Sequence, residues 1–185
     1  MSIITHRPNF GDLYSLDMRS RFNYHNIKPE FHNLKTDNID KYRKINIVKL
    51  KYQNKQFIQL NNSVIINSHQ IKQLLDFFVG SVDLNDDSLI NLQFKRIICN
   101  DNLVGLPSPK DWQKYTKHKA IMCISRENIK GGINQFLNDD NELFATELYP
   151  GSMLLFKNIN HRTTPIIPYD FGFEGHRDIL TIYSH

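Results

Sequence analysis

The residues best suited to do chemistry lie in the last quarter of the chain. An apolar run, Met153-Leu-Leu-Phe, leads to His161; Thr163-Thr-Pro-Ile follows, and Arg177 opens an Arg-Asp-Ile-Leu-Thr-Ile segment sixteen positions further on. A neutral imidazole suits a borderline metal, and a guanidinium suits a carboxylate held by two parallel hydrogen bonds. If the two segments are strands lying side by side, both groups project into one cavity, with Thr163 or Thr181 adding a hydroxyl. The plainer alternative is a core histidine bonded to backbone and a surface arginine paired with Asp178. Spacing alone leaves both open.

Other chemistries are excluded by pattern. There is no Gly-rich phosphate loop, because Gly131-Gly132 after Asn128-Ile-Lys reads as a strand-to-strand turn. No Cys-x-x-Cys or His-Glu-x-x-His pattern supports zinc, and no Gly-x-Ser-x-Gly elbow supports a serine hydrolase. Cys99 and Cys123 sit in apolar, strand-like contexts and read as reduced, buried thiols. The formal charge is +4, with basic residues scattered among acids. Tyr42-Arg-Lys and Lys117-His-Lys therefore read as solvated charge runs, and nucleic acid is not an expected partner. The longest wholly apolar run, Ala120 to Ile124, is far short of the ~20 residues of a membrane span. The N-terminus lacks the apolar stretch and cleavage site of a secretory signal, so a cytoplasmic location is expected.

The elements that must position these residues form one domain, 1–185; at 40% hydrophobic and 23% charged, its composition is that of a globular protein. Residues 1–40 are polar and turn-rich and read as an arm wrapping the core. Its aromatics (Phe10, Tyr14, Phe22, Tyr24, Phe31) could cover either its own core or a second copy, so a homodimer is left open. Strand patterns begin at Ile45 and Gln56. Ile71, Leu74, Leu75 and Phe78 fall at the spacing of one helical face, with Asn67 and Gln70 as a capping box and Gly80 as a stop. After an acidic turn at 83–87, short strands are expected over 90–99, 117–125, 133–137, 143–148, 152–157 and 177–184. Many short strands with Gly, Pro and Asn turns, after one helix, predict a mainly β, α+β chain: a sandwich or jelly roll with helical support.

Four blocks resemble the 2-oxoglutarate/Fe(II) dioxygenases that include bacterial hydroxylases of free amino acids, the isoleucine hydroxylases among them. They are Leu92-Gln-Phe-Lys-Arg-Ile-Ile, Gly105-Leu-Pro-Ser-Pro, Ala120 to Gly132 with its Arg-x-Asn-Ile-x-Gly-Gly run, and His161-x-x-Thr-Pro-Ile with Arg177-Asp-Ile-Leu. Together they span 92–182, in order. The resemblance implies a double-stranded β-helix of the cupin or jelly-roll type, with residues 90–185 as the core strands carrying the site. It also implies His161 as the distal metal ligand and Arg177 as the oxoglutarate-binding arginine.

The resemblance breaks where the family places His-x-Asp, which with the distal His makes a facial triad for iron. In one register those positions hold Trp112 and Lys114; in the other they hold Gln113 and Tyr115. Lys114, if directed inward, would repel Fe(II) but strengthen anion binding or act as a Schiff-base or proton-transfer residue. Asp111 could repair an iron site with His161 only from the entry turn, because strand alternation points a residue shifted by one position outward. Lys117, His118 and Lys119 are expected at a solvated face or rim. The expectation is a member without a standard iron site that uses His161, Lys114, Arg177 and Thr163. Its ligand would be a small carboxylate such as 2-oxoglutarate, an amino acid, or a partner. The alternative is an active amino-acid hydroxylase with Asp111 and His161 on iron.

Overall fold

In a computed structural model, residues 4–21, 23–27, 43–61, 69–107 and 109–184 are described. Three antiparallel sheets and one helix organise them. The largest sheet has eight strands, in the order β1 (Ile4–His6), β2 (Tyr14–Asp17), β11 (Ser152–Phe156), β7 (Lys119–Glu127), β14 (Gly175–Ser184), β5 (Leu89–Cys99), β3 (Arg43–Gln53), β4 (Gln56–Gln59). The second runs β10 (Leu143–Thr146), β9 (Asn134–Leu137), β12 (Ile159–Thr163), β6 (Gln113–Tyr115), and the third pairs β13 (Ile166–Pro168) with β8 (Ile129–Gly131).

Two cores lie on opposite faces of the large sheet. On one face Met122, Leu180, Leu92, Val48 and Met153 pack with Ile71, Leu74, Leu75 and Phe78 of α1 (His69–Ser81). This is the helical face read from the i, i+3, i+4, i+7 spacing; Asn67, the expected cap, lies outside the described residues. On the other face Ile121, Cys123, Leu154 and Ile179 pack against Phe136 of β9 and Ile159 of β12. The two sheets therefore face one another across a shared interior. Alternation of side chains along β7 and β14 sorts the residues between the two cores, with a register shift between Asp178 and Ile179.

Several sequence expectations are corrected here. β12 and β14 do not lie side by side, because β12 belongs to the small sheet and β14 to the large one. Within the segment expected as an N-terminal arm, β1 and β2 are strands that extend the large sheet, and Leu13, Leu16 and Met18 are buried. Phe22 and Phe31 lie outside the described residues. Strands β6 and β12 are additions. Each is short, and β6 carries two polar side chains and one tyrosine, too few residues to show a period. Both cysteines are free and buried, as expected.

Candidate functional site

Arg177 enters the interior from the third residue of β14. It is fully buried, and Ile97 of β5 is its cross-strand neighbour. Its sequence neighbour Asp178 does not neutralise it. Asp178 lies on the opposite face and takes two hydrogen bonds from Arg96, at 2.7 and 2.6 Å, and one from Ser125 at 3.0 Å. The Nε and Nη2 atoms of Arg177 are buried with no hydrogen-bond partner among the described residues. These two N–H groups form one edge of the guanidinium, the edge that matches a carboxylate. Burial pulls the Arg177 pKa down, with Arg126 adding to that pull, yet an arginine remains charged in a protein. The close approach of Gly132 is part of this geometry. A Cβ there would lie 3.2 Å from Nη1 and 3.3 Å from Cδ of Arg177.

His161 faces Arg177's sheet from β12 and is completely buried. Its ring stacks on Phe136 at 4.9 Å and lies 5.0 Å from the Phe156 ring. Nε2 is 3.1 Å from Oδ1 of Asn134, which also accepts a hydrogen bond from Thr163 Oγ1 at 3.3 Å. Nδ1 of His161 and Nδ2 of Asn134 have no hydrogen-bond partner among the described residues. Burial, then the charges of Lys119, Arg177 and Lys95, hold the His161 pKa well below its ordinary value, so the imidazole is neutral.

The third contributor is a lysine placed at a solvated rim by sequence reasoning. Lys119 is 4% exposed, and its Nζ sits 3.7 Å from the centroid of the Tyr115 ring. Strand alternation explains why: Lys119 lies two and four residues before Ile121 and Cys123, which face the interior. Burial and the neighbouring Lys95 lower its pKa to about 6. Lys95, itself buried, is the cross-strand partner of Ile179 and so belongs to the same face. Tyr115 donates from its hydroxyl to Gln113 Oε1 at 2.8 Å, and burial raises its pKa to about 12, keeping the phenol protonated.

The expected role of Lys114 is not met. It lies opposite Asn160, is exposed, and pairs with Asp139 at 3.0 Å. His161 lies opposite Gln113. Of the two registers left open by the sequence, the structure therefore brings Gln113 and Tyr115 to the face of His161, not Trp112 and Lys114. Trp112 instead carries the Arg162 guanidinium over its ring at 4.4 Å. Asp111 is exposed in the bend before β6. Among the described residues, no three His, Cys, Asp or Glu side chains come together to hold a metal ion. Among them, too, no helix is long and apolar enough to cross a membrane.

The profile of the 2OG-Fe dioxygenases matches residues 10–183, nearly the whole chain. The chain belongs to the 2OG-Fe dioxygenase family. That family normally uses Fe(II) and 2-oxoglutarate. Solved structures of the same fold include IDO from Bacillus thuringiensis, with a TM-score of 0.68 and 20% identity over 77% of this chain and 74% of that one. A bsmA homologue from Methylobium petroleophilum gives 0.65 and 18% over 85% and 75%. The Fe(II)/α-ketoglutarate-dependent dioxygenase TqaL gives 0.61 and 13% over 83% and 70%. No curated protein matches in sequence. His161 and Arg177 lie on facing sheets rather than on the neighbouring strands expected from the sequence.

Proposed function

We propose that this member of the 2OG-Fe dioxygenase family binds a small carboxylate, an oxo acid or amino acid, on Arg177 and does so without iron. The observation that carries the reading is the buried Nε and Nη2 edge of Arg177, which has no protein acceptor. A buried guanidinium left unpaired costs several kcal/mol, and a carboxylate supplies both the charge and the two acceptors.

The residues around His161 do not fit iron. Its Nε2 is engaged by Asn134, its cross-strand partner is the neutral Gln113, and the charges that act on its ring, those of Lys119, Arg177 and Lys95, are all positive. The chain's own groups orient a carboxylate at Arg177, keep the imidazole neutral beside it, and exclude water through Phe136, Phe156 and Ile179.

Anaerobic calorimetry of metal-stripped protein with Fe(II) and with 2-oxoglutarate, each alone and together, tests this. The expected result is metal-independent binding of 2-oxoglutarate, weakened about tenfold or more in Arg177→Gln, with thermal melts confirming that the variant folds. One-to-one iron binding lost in His161→Ala would overturn the reading and favour an amino-acid hydroxylase with an unusual iron site.

A further inference from the structure

The exposed large apolar side chains are not spread evenly over the molecule. Tyr149, Tyr169, Phe171 and Phe173 are 60–74% exposed, and Val104, Leu106 and Ile167 are exposed as well. Strand pairing brings these segments together. Gly105 and Ile166 exchange two hydrogen bonds of 2.9 Å, and both residues are buried. Alternation along each segment therefore turns Val104, Leu106 and Ile167 to the outer side. Ile167 is the cross-strand partner of Lys130, whose Nζ lies 4.5 Å from the centroid of the Tyr169 ring. A solvent-open groove of about 960 Å³ then joins Tyr169 and Phe173 to Tyr149 and Pro150.

The rings are held out in water by a fixed loop. Asn128 accepts the Asp170 N–H on Oδ1 at 2.7 Å and donates from Nδ2 to the carbonyls of Asp170 and Phe173, at 3.0 and 3.1 Å. Asp101 takes the N–H of Gly172 at 2.8 Å. A loop pinned in this way has little freedom left to lose on association. Aromatic rings have roughly 150–250 Å² each to bury, so these four leave roughly 400–650 Å² in water. The three aliphatic side chains bring the face close to the ~800 Å² that each partner contributes to an interface of standard size. Apolar patches of this extent are rare on monomers.

The charges on this face are of both signs. Arg126 and Glu147, in the groove, pair with each other. Lys130, Asp170 and Glu174 are exposed, and none of the three is in an ion pair among the described residues. A cation on β8 and two acids on the facing loop make a surface that attracts its own copy when turned by a two-fold axis.

We propose that two copies of the chain associate through this face, ring against ring about a two-fold axis, with Lys130 of each copy meeting Asp170 or Glu174 of the other. Neither Arg177 nor His161 takes part, so the interface is independent of the carboxylate site. It also lies away from the aromatics of the N-terminal arm, of which Phe10 and Tyr14 are half-buried and Tyr24 is buried.

Sedimentation velocity of the full chain, at concentrations on the order of 1–100 µM, tests this. The native chain should sediment as a dimer, at twice the 21.8 kDa chain mass. Phe171→Glu combined with Phe173→Glu should weaken the dimer about a hundredfold or more and leave the thermal melt unchanged. Leu60→Glu, at an exposed apolar residue beside β4, should leave the dimer intact. Lys130→Glu alone, and Asp170→Lys with Glu174→Lys in a second protein, should each weaken self-association about tenfold, while an equimolar mixture of the two proteins should restore it. Such rescue needs opposite charges on different copies, which a patch serving another role would not give. A chain that stays monomeric throughout overturns the assignment and leaves the face to a different partner. A dimer untouched by the Phe171 and Phe173 changes, or charge variants that do not recover on mixing, overturn it equally.

Discussion

Asp178 and Arg177 are adjacent in sequence, equally buried and opposite in charge, yet their surroundings could hardly differ more. Asp178 has both oxygens engaged, by Arg96 and Ser125, under the helix-backed face of the sheet. Arg177, on the facing-sheet side, has two donors with no acceptor. The same contrast holds for the faces as wholes. The helix-backed face is a continuous apolar core built on α1. The other face mixes apolar residues with Lys95, Lys119, His161 and Arg177. One buried charge is satisfied by its neighbours and the next one in sequence is not, so the two should answer differently to mutation.

The largest effect should come from the helix-backed face. Phe78→Ala removes a fully buried ring from the core between α1 and the sheet, and should cost about 3–5 kcal/mol in urea denaturation. Asp178→Asn should follow, at roughly 3 kcal/mol, because it strands the partly buried Arg96 without its partner. Arg177→Met should behave in the opposite sense: stability unchanged or raised, by up to about 2 kcal/mol, with carboxylate binding lost. If Arg177→Met unfolds the protein as readily as Asp178→Asn, the contrast between the neighbours collapses.

The pH dependence sharpens the same comparison. Lys119 has a folded pKa of about 6 against 10.5 for an ordinary lysine, so between those values the unfolded chain binds more protons than the folded one. Stability should therefore rise with pH across that window and be least at pH 6 and below. The slope attributable to this group, at most ~1.4 kcal/mol per pH unit, should vanish in Lys119→Met when the two proteins are melted side by side. The smallest effect is expected at Lys114. Its ion pair with Asp139 is exposed, so Lys114→Ala should shift stability by less than about 0.5 kcal/mol and leave ligand binding alone.

Lys114 and Lys119 also show how far the sequence could be read. Helix α1 was legible because four apolar residues at helical spacing leave few alternatives. The long strands β3, β5, β7 and β14 were legible from apolar runs and turn residues. His161, Arg177 and the family motifs were found because their neighbours are distinctive. Lys119 was missed because a lysine following Lys117-His118 looks solvated. Its parity with Ile121 and Cys123 was the available signal, and it places the side chain inward. The register at β6 needed the pairing with β12, which a three-residue polar strand does not announce. The facing, rather than neighbouring, positions of His161 and Arg177 depend on which sheet each strand joins, and that is decided by contacts distant in sequence.

Those distant contacts have a consequence for how the molecule is made. β14 follows every other strand in chain order but sits between β7 and β5 in the large sheet, with Gly175 paired to Cys99 across 76 positions of sequence. Until it inserts, β5 and β7 each present an unpaired edge, and such edges invite pairing with other chains. Closing so long a loop is slow. The strand that fills this gap also carries Arg177, so the buried guanidinium reaches its place only where β5 and β7 are joined. Anything that binds only the closed sheet would slow its reopening far more than it hastens its closure.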